Sequence, residues 1–469
     1  MINFCPKQIA HRAIFVYLIV LACISMVYLR YSMSWGYIAL GITWVAGFFM
    51  LAGSLSRHCR KINDRAYVQN IILVALGLRL LWVIASYFYY LHATGTPFEF
   101  GSADSFGYHD AAIWLAGSPW STAWNYYFGP DSIGVSDVGY PLYLTALYKL
   151  IGPNIIVTRI IKACLSTFTC FLLYKLASRT FGEQTGRLAG IMAALMPNLI
   201  IYCGYHLKET EMLFLEVAFL ERFDYLIRSK RINFFNVLLS TVLAVSLFFF
   251  RTVLGAAAIF AIASTLILAS APSMKKTGRR VMLISWGLLF IVALGGGTIA
   301  TEAEGYWEER EENVVDKRYG QTLRGNQWAQ YATGTVMAPM VFVLPYATMV
   351  NVDGQYGQQE KSGGNYIRNF MGLFAILAII EAFRRKQWRD YITIGSFVIA
   401  YLGVISISGF SNSERFLLPG LPGLILLWSY GIATLREKTY RFITPWCFIV
   451  FVMEFAWAFF KLGSRGLFQ

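Results

Sequence analysis

Charge is what this chain has least of. Only 14% of its 469 residues are Asp, Glu, Lys or Arg, whereas 57% are hydrophobic, and the mean hydropathy is +0.52. A soluble domain of that size needs far more charged surface, so an ordinary globular protein is excluded. Seven cysteines occur and none falls in a CxxC pair, which argues against a zinc or redox site and against a disulfide framework. A Gly-rich phosphate loop and a nucleophile elbow are missing. The apolar run after Lys7 and Arg12 lacks a small-residue cleavage site, and a second apolar run follows directly. It reads as an uncleaved first span.

What the chain does have is a succession of apolar runs long enough to cross a hydrocarbon core of about 30 Å. About thirteen spans are expected, at 13–30, 33–55, 68–92, 155–178, 187–204, 209–227, 233–250, 252–271, 281–300, 366–383, 391–408, 416–435 and 443–462. The fold class is therefore an all-α polytopic membrane protein. The net charge of +14 is dispersed in short basic clusters between the runs, such as Arg57, Arg60, Lys61 and Arg65, or Arg384, Arg385, Lys386 and Arg389. Loops that carry such clusters face the cytoplasm, and no nucleic-acid role is expected. This places the N-terminus in the cytoplasm and the C-terminus outside.

Two long segments fall on the external side, 93–138 and 301–365, and both are expected to carry juxtamembrane helices. The chain divides into two N-terminal spans (1–67), a module over 68–300 that includes the first loop, the second loop, and a final set of spans over 366–469. Between Arg79 and Lys149 there is no Lys or Arg, while Glu99, Asp104, Asp110, Asp131 and Asp137 all occur, which reads as external. Trp114, Trp120, Trp124, Tyr126 and Tyr127 in the same loop suit a membrane interface. Residues 139–151 and 336–350 are apolar but short, and are expected to be re-entrant or juxtamembrane. The charged stretch TEAEGYWEEREENVVDKRYG that opens the second loop reads as a solvated helix.

Chemistry is most legible in GSADSFGYHDAAIWLAG (101–117). On a helix, Asp104, Tyr108, Ala111, Ala112 and Leu115 share a face. A carboxylate there suits a general base for an acceptor hydroxyl, and it equally suits a helix N-cap. Spacing alone leaves both open. Lys208, Arg251 and Arg415 stand at external helix turns beside long apolar sequence, where an unpaired charge is costly. Together they suit a phosphate site; singly, each equally suits snorkelling or an ion pair with a neighbour such as Glu209 or Glu414. His109, Asp110, His206 and Glu209 are weaker supporting candidates. Asp104 and Asp110 are hard oxygen ligands, so a divalent metal is left open, but nothing fixes a coordination set. Glu216 and Glu454 lie in apolar runs and need internal partners.

The pattern Asp104-x3-Tyr108-His109-x2-Ala112-x2-Leu115-Ala116-Gly117, followed by Gly139-Tyr140-Pro141-Leu142, resembles the first external loop of GT-C glycosyltransferases. It is most similar to the protein O-mannosyltransferase family and its aminoarabinose-transferase relatives. The resemblance continues through Arg159, residues 172–202, and Arg415-Phe416-Leu417-Leu418-Pro419 with Leu421-Pro422. It covers most of 68–435 as ordered landmarks. It implies inverting transfer of a sugar from a polyprenyl-phosphate-linked donor to a lipid, glycan or protein acceptor at the external face, in a bacterial inner membrane. By position Asp104 matches the family's base. Three features depart from the pattern: two extra leading spans, Ser105 where a second acidic residue is common, and Asp137-Val138 where the aminoarabinose transferase has a Lys before the Pro motif. A ligase or polymerase with a lipid-diphosphate donor is the nearest enzymatic alternative, and a lipid or sugar transporter the alternative of another class. Transporters place charge between internal repeats at mid-bilayer, and no repeat is evident here.

Overall fold

The computed structural model of the chain describes residues 6–129, 138–229, 233–268, 278, 282, 285–287, 340, 342–352, 354–407 and 413–463. Among these the architecture is helical throughout, and extended backbone pairs only in an isolated antiparallel bridge between Ser32 and Val350. The first helices are α1 (Lys7–Val27), α2 (Trp35–Cys59) and α3 (Asp64–Thr94). The loop region after them contains α4 (Ala103–Ala116), α5 (Trp120–Phe128) and α6 (Gly139–Ile151). Then come α7 (Ile155–Phe181), α8 (Glu183–Leu195), α9 (Pro197–Ile201), α10 (Glu209–Arg228), α11 (Phe234–Phe250) and α12 (Thr252–Leu268). The C-terminal part has α13 (Tyr356–Glu360), α14 (Ser362–Arg384), α15 (Ile392–Ile407), α16 (Glu414–Leu417), α17 (Leu421–Ala433) and α18 (Ile443–Gly463).

Local signals explain several boundaries. The Asn63 side chain accepts from the Ala66 N–H at 2.8 Å and starts α3, and Gly95, at φ +76°, ends it. Asn154 likewise caps α7 through the Val157 N–H at 3.1 Å. Among the described residues seven helices can cross a membrane by length and composition, or eight if α8 and α9 form one broken span. α10 carries Glu209, Glu211, Glu216, Glu221, Arg222, Asp224 and Arg228, while α11 and α12 have only 17 residues each. The expected thirteen crossings are not reached by that measure. The expected span 281–300 lies outside the described residues apart from four positions, as does the charged opening of the second loop.

The span expected over 187–204 is a bent pair of helices, turning by 54° at Met196–Pro197. Proline lacks an N–H, so the carbonyls upstream lose their helical donors. Arg79 of α3, fully buried, supplies replacements, donating to Ala193 O at 3.2 Å and Ala194 O at 3.1 Å. Its other bonds go to Ser166 Oγ, Ala75 O and Cys170 Sγ. Non-helical backbone at membrane depth persists only where protein satisfies it.

Residues 342–352 obey the same rule as a buried extended strap. Asn369 donates to Val343 O and Pro345 O, Glu454 accepts from the Ala347 N–H at 3.1 Å, and Lys461 donates to Thr348 Oγ1 at 2.7 Å. Glu454 thus finds the internal partner its position requires. Glu216, equally buried, has no hydrogen-bond partner among the described residues. The leading helices are built into the bundle, α1 packing on α2 and α18, and α2 on α8 and α14. α7 forms the centre against α3, α8 and α10.

Candidate functional site

At one end of the bundle α4 lies close to the head of α10 and the α16 turn. The N-cap of α4 is Ser102, so Asp104 stands in the first turn without serving as the cap. Its carboxylate instead accepts a hydrogen bond from Arg415 Nη1, and the Asp104 side chain is 53% exposed. The other edge of the same guanidinium donates through Nε to Glu209, which is completely buried at the start of α10. Arg251, between α11 and α12, approaches Glu209 at 3.7 Å and donates to Tyr401 Oη at 3.0 Å. Its guanidinium also stacks over the Phe416 ring, 4.4 Å from the centroid. Lys208 precedes Glu209, is buried, and acts electrostatically on its carboxylate.

The three sequence-derived cations therefore converge on one buried carboxylate, and one of them bridges it to the exposed Asp104. Arg415 and Arg251 can present donors to an anion only while Glu209 holds part of their charge. This keeps the arginines oriented in the absence of a ligand, the usual requirement of a preorganised charged site. Glu414, the other expected partner for Arg415, turns away. It accepts from Asn198 Nδ2 at 2.8 Å and Tyr202 Oη at 2.5 Å, and pairs with Lys361 at 3.0 Å.

A second layer lies under α4. His109 Nδ1 and Tyr148 Oη are 2.8 Å apart, and Tyr148 Oη and His206 Nε2 are 3.2 Å apart. The two imidazoles meet edge to face at 5.4 Å. Burial lowers the pKa of His109, opposed by Asp110, and lowers that of His206 further, with Lys162, Arg159 and His109 adding repulsion. Burial thus favours the neutral form of both imidazoles, which join α4 to the turn before α10. Tyr108 packs edge to face on Tyr140, with centroids 5.3 Å apart. Asp110 is exposed on another face of α4 and is not brought to Arg415. Among the described residues no group of three His, Cys, Asp or Glu side chains converges as a metal site would.

No protein-family model matches this sequence, and no curated protein matches it. The structure is similar to the crystal structure of ArnT from Cupriavidus metallidurans bound to undecaprenyl phosphate, with a TM-score of 0.51 and 15% identity. The match covers 83% of this chain and 64% of that one. The fold is of the GT-C type. A second match, to the Archaeoglobus fulgidus oligosaccharyltransferase in complex with Zn and sulfate, has a TM-score of 0.44 and 12% identity, over 85% of this chain and 52% of that one. This chain thus spans less than two thirds of the length of either.

Within this GT-C-type bundle the roles of several polar residues escaped the sequence reading. Lys162, fully buried in α7, donates to Tyr205 O at 2.9 Å and to Leu207 O, and pairs with Glu211 at 3.5 Å. It holds the turn on which His206 and Lys208 stand. Arg159, one turn earlier, donates to Pro97 O at 2.5 Å, and Glu99 accepts from Ser105 Oγ and the His206 N–H. The available signal was the pair of cations at i and i+3 inside the apolar run IIVTRIIKACL. Glu360 and Lys361 had no such signal, since they follow a loop. Glu360 accepts from Tyr90 Oη at 2.6 Å and Tyr205 Oη at 2.9 Å, and its burial pushes its pKa up to about 7.

Proposed function

We propose that this chain transfers a sugar from a polyprenyl-phosphate-linked donor to an acceptor hydroxyl at the external membrane face. The observation that carries the reading is the Asp104–Arg415–Glu209 bridge with Arg251 beside it: an exposed carboxylate next to cations anchored on a buried one. The undecaprenyl phosphate bound to ArnT, a protein of the same fold, supports a lipid phosphate as the ligand of those cations.

In this reading Asp104 takes the proton of the acceptor hydroxyl as its oxygen attacks the anomeric carbon from the face opposite the phosphate. The bond from the anomeric carbon to the phosphate oxygen breaks, the configuration inverts, and the polyprenyl phosphate leaves with both electrons of that bond. The charge that grows on the leaving phosphate is met by Arg415, Arg251 and Lys208. Proton uptake by Asp104 weakens its hold on Arg415, freeing that guanidinium for the phosphate when the phosphate becomes most negative. The test is the pool of polyprenyl-linked sugars in cells lacking the protein. One such lipid should accumulate, return to its normal level with the wild-type gene, and stay high with Asp104→Asn. A pool identical in all strains refutes the reading.

A further inference from the structure

Arg415 depends on a turn that a helix cannot stabilise by itself. The stretch Glu414–Ala433 begins as α16, tightens into a 3-10 turn at Leu418–Gly420 and resumes as α17, with Pro419 inside the break and Pro422 in the first turn of α17. The Leu421 N–H bonds to Leu418 O rather than to Leu417 O, its partner in an unbroken α-helix. Two side chains from neighbouring helices reach the carbonyls next to Arg415. Tyr401 of α15 donates to Phe416 O at 2.8 Å, and Arg368 of α14 donates through Nη1 to Leu417 O at 3.1 Å. Arg79 answers the Pro197 break in the same way, but there every side-chain nitrogen of the arginine finds an acceptor. Arg368 is 3% exposed, its Nε and Nη2 have no hydrogen-bond partner among the described residues, and Glu414 acts on its charge only from beyond bonding range. Burying a cation for a single carbonyl contact is costly. A local gain in stability does not account for it, and a gain at the site does.

We propose that Arg368 and Tyr401 are positioning residues that hold the Arg415–Leu417 turn through its freed carbonyls and so fix the Arg415 guanidinium between Glu209 and Asp104. Tyr401 links the two halves of the clamp, because its hydroxyl also accepts from Arg251. The proposal rests on the phosphate-binding reading above.

The experiment is a double-mutant cycle on undecaprenyl phosphate binding, with the full-length protein in nanodiscs and the thermal midpoint recorded for every variant. Arg415→Ala should weaken binding by about tenfold or more, the value of a charge-assisted phosphate contact. Arg368→Met should weaken it by a similar factor in the wild-type background and by less than about twofold in the Arg415→Ala background, because it acts through Arg415. Arg368→Lys, which can still donate to Leu417 O, should recover most of the loss. Unchanged binding by Arg368→Met, or a full additive loss on top of Arg415→Ala, overturns the proposal. Tyr401→Phe removes one oxygen and carries the same cycle if Arg368→Met does not fold, run in an Arg251→Ala background so that its second contact does not contribute; a loss that stays additive with Arg415→Ala there overturns it equally. Failure of the wild-type protein to bind undecaprenyl phosphate at all refutes the functional reading itself, a different result.

Discussion

Replacing Asp104 by Asn separates chemistry from architecture, because the structure assigns the helix cap to Ser102. The cost of losing a cap, about 1 kcal/mol, therefore does not arise. What the substitution removes from the fold is the negative charge opposite Arg415 in a pair whose carboxylate side chain is 53% exposed. Such pairs are worth at most about 1 kcal/mol, and Asn Oδ1 can still accept from Arg415. The protein should therefore insert normally and melt within a few degrees of wild type. Loss of a general base costs roughly 10²–10⁴-fold in rate, equivalent to about 2.7–5.5 kcal/mol of barrier at about 1.4 kcal/mol per tenfold. The two effects differ by several kcal/mol and are read by different assays. Nanodisc preparations of each variant can be supplied with a whole envelope extract of cells lacking the protein, which holds both the accumulated polyprenyl-linked sugar and its unused acceptor, and consumption of the donor followed by mass spectrometry. Single-turnover rates down at least a hundredfold, with undecaprenyl phosphate still bound, are expected. Transfer by Asp104→Asn within a few-fold of wild type would refute the assignment of Asp104 as the base.

Glu209→Gln should be the damaging substitution for the fold. It leaves Arg415 and Arg251 without their shared buried counter-charge, a change worth about 3–5 kcal/mol, and an unaltered thermal midpoint would contradict the role given to Glu209. Glu360 adds a pH dependence: its pKa rises from an unfolded value near 4.5 to about 7, so the folded state holds the proton more tightly. Stability should fall as pH rises from about 4.5 to about 7, by roughly 3 kcal/mol at about 1.4 kcal/mol per unit, and level off above; Glu360→Gln should flatten that slope in denaturation series, and an unchanged slope counts against the buried proton. A cysteine at exposed Ser121, in a background without the native cysteines, should react with a membrane-impermeant maleimide on intact cells; reaction only after permeabilisation would invert the assigned topology.

Hydropathy by itself determined that this is a bundle of membrane helices, because lipid-facing surface must be apolar whatever the helices pack against. The same pattern isolated the stretch with Asp104 and singled out Lys208, Arg251 and Arg415, since a cation beside long apolar sequence is rare enough to be noticed. It offered Glu209 and Glu414 as neighbours for those cations without revealing which of them each cation meets. Asp104 and Arg415 are 311 positions apart, and Arg415 meets Glu209, not its chain neighbour Glu414, because the α16 turn sets successive side chains about 100° apart. The prolines at 197, 419 and 422 are visible in the sequence, yet a missing N–H does not say which helix supplies the substitute donor. Arg79, Tyr401 and Arg368 do so only because α3, α15 and α14 pack where the carbonyls are left open. Periodicity reports which face of a helix is buried. Which polar atoms meet within that buried face is settled by the packing of whole helices, and on that packing the geometry of this site depends.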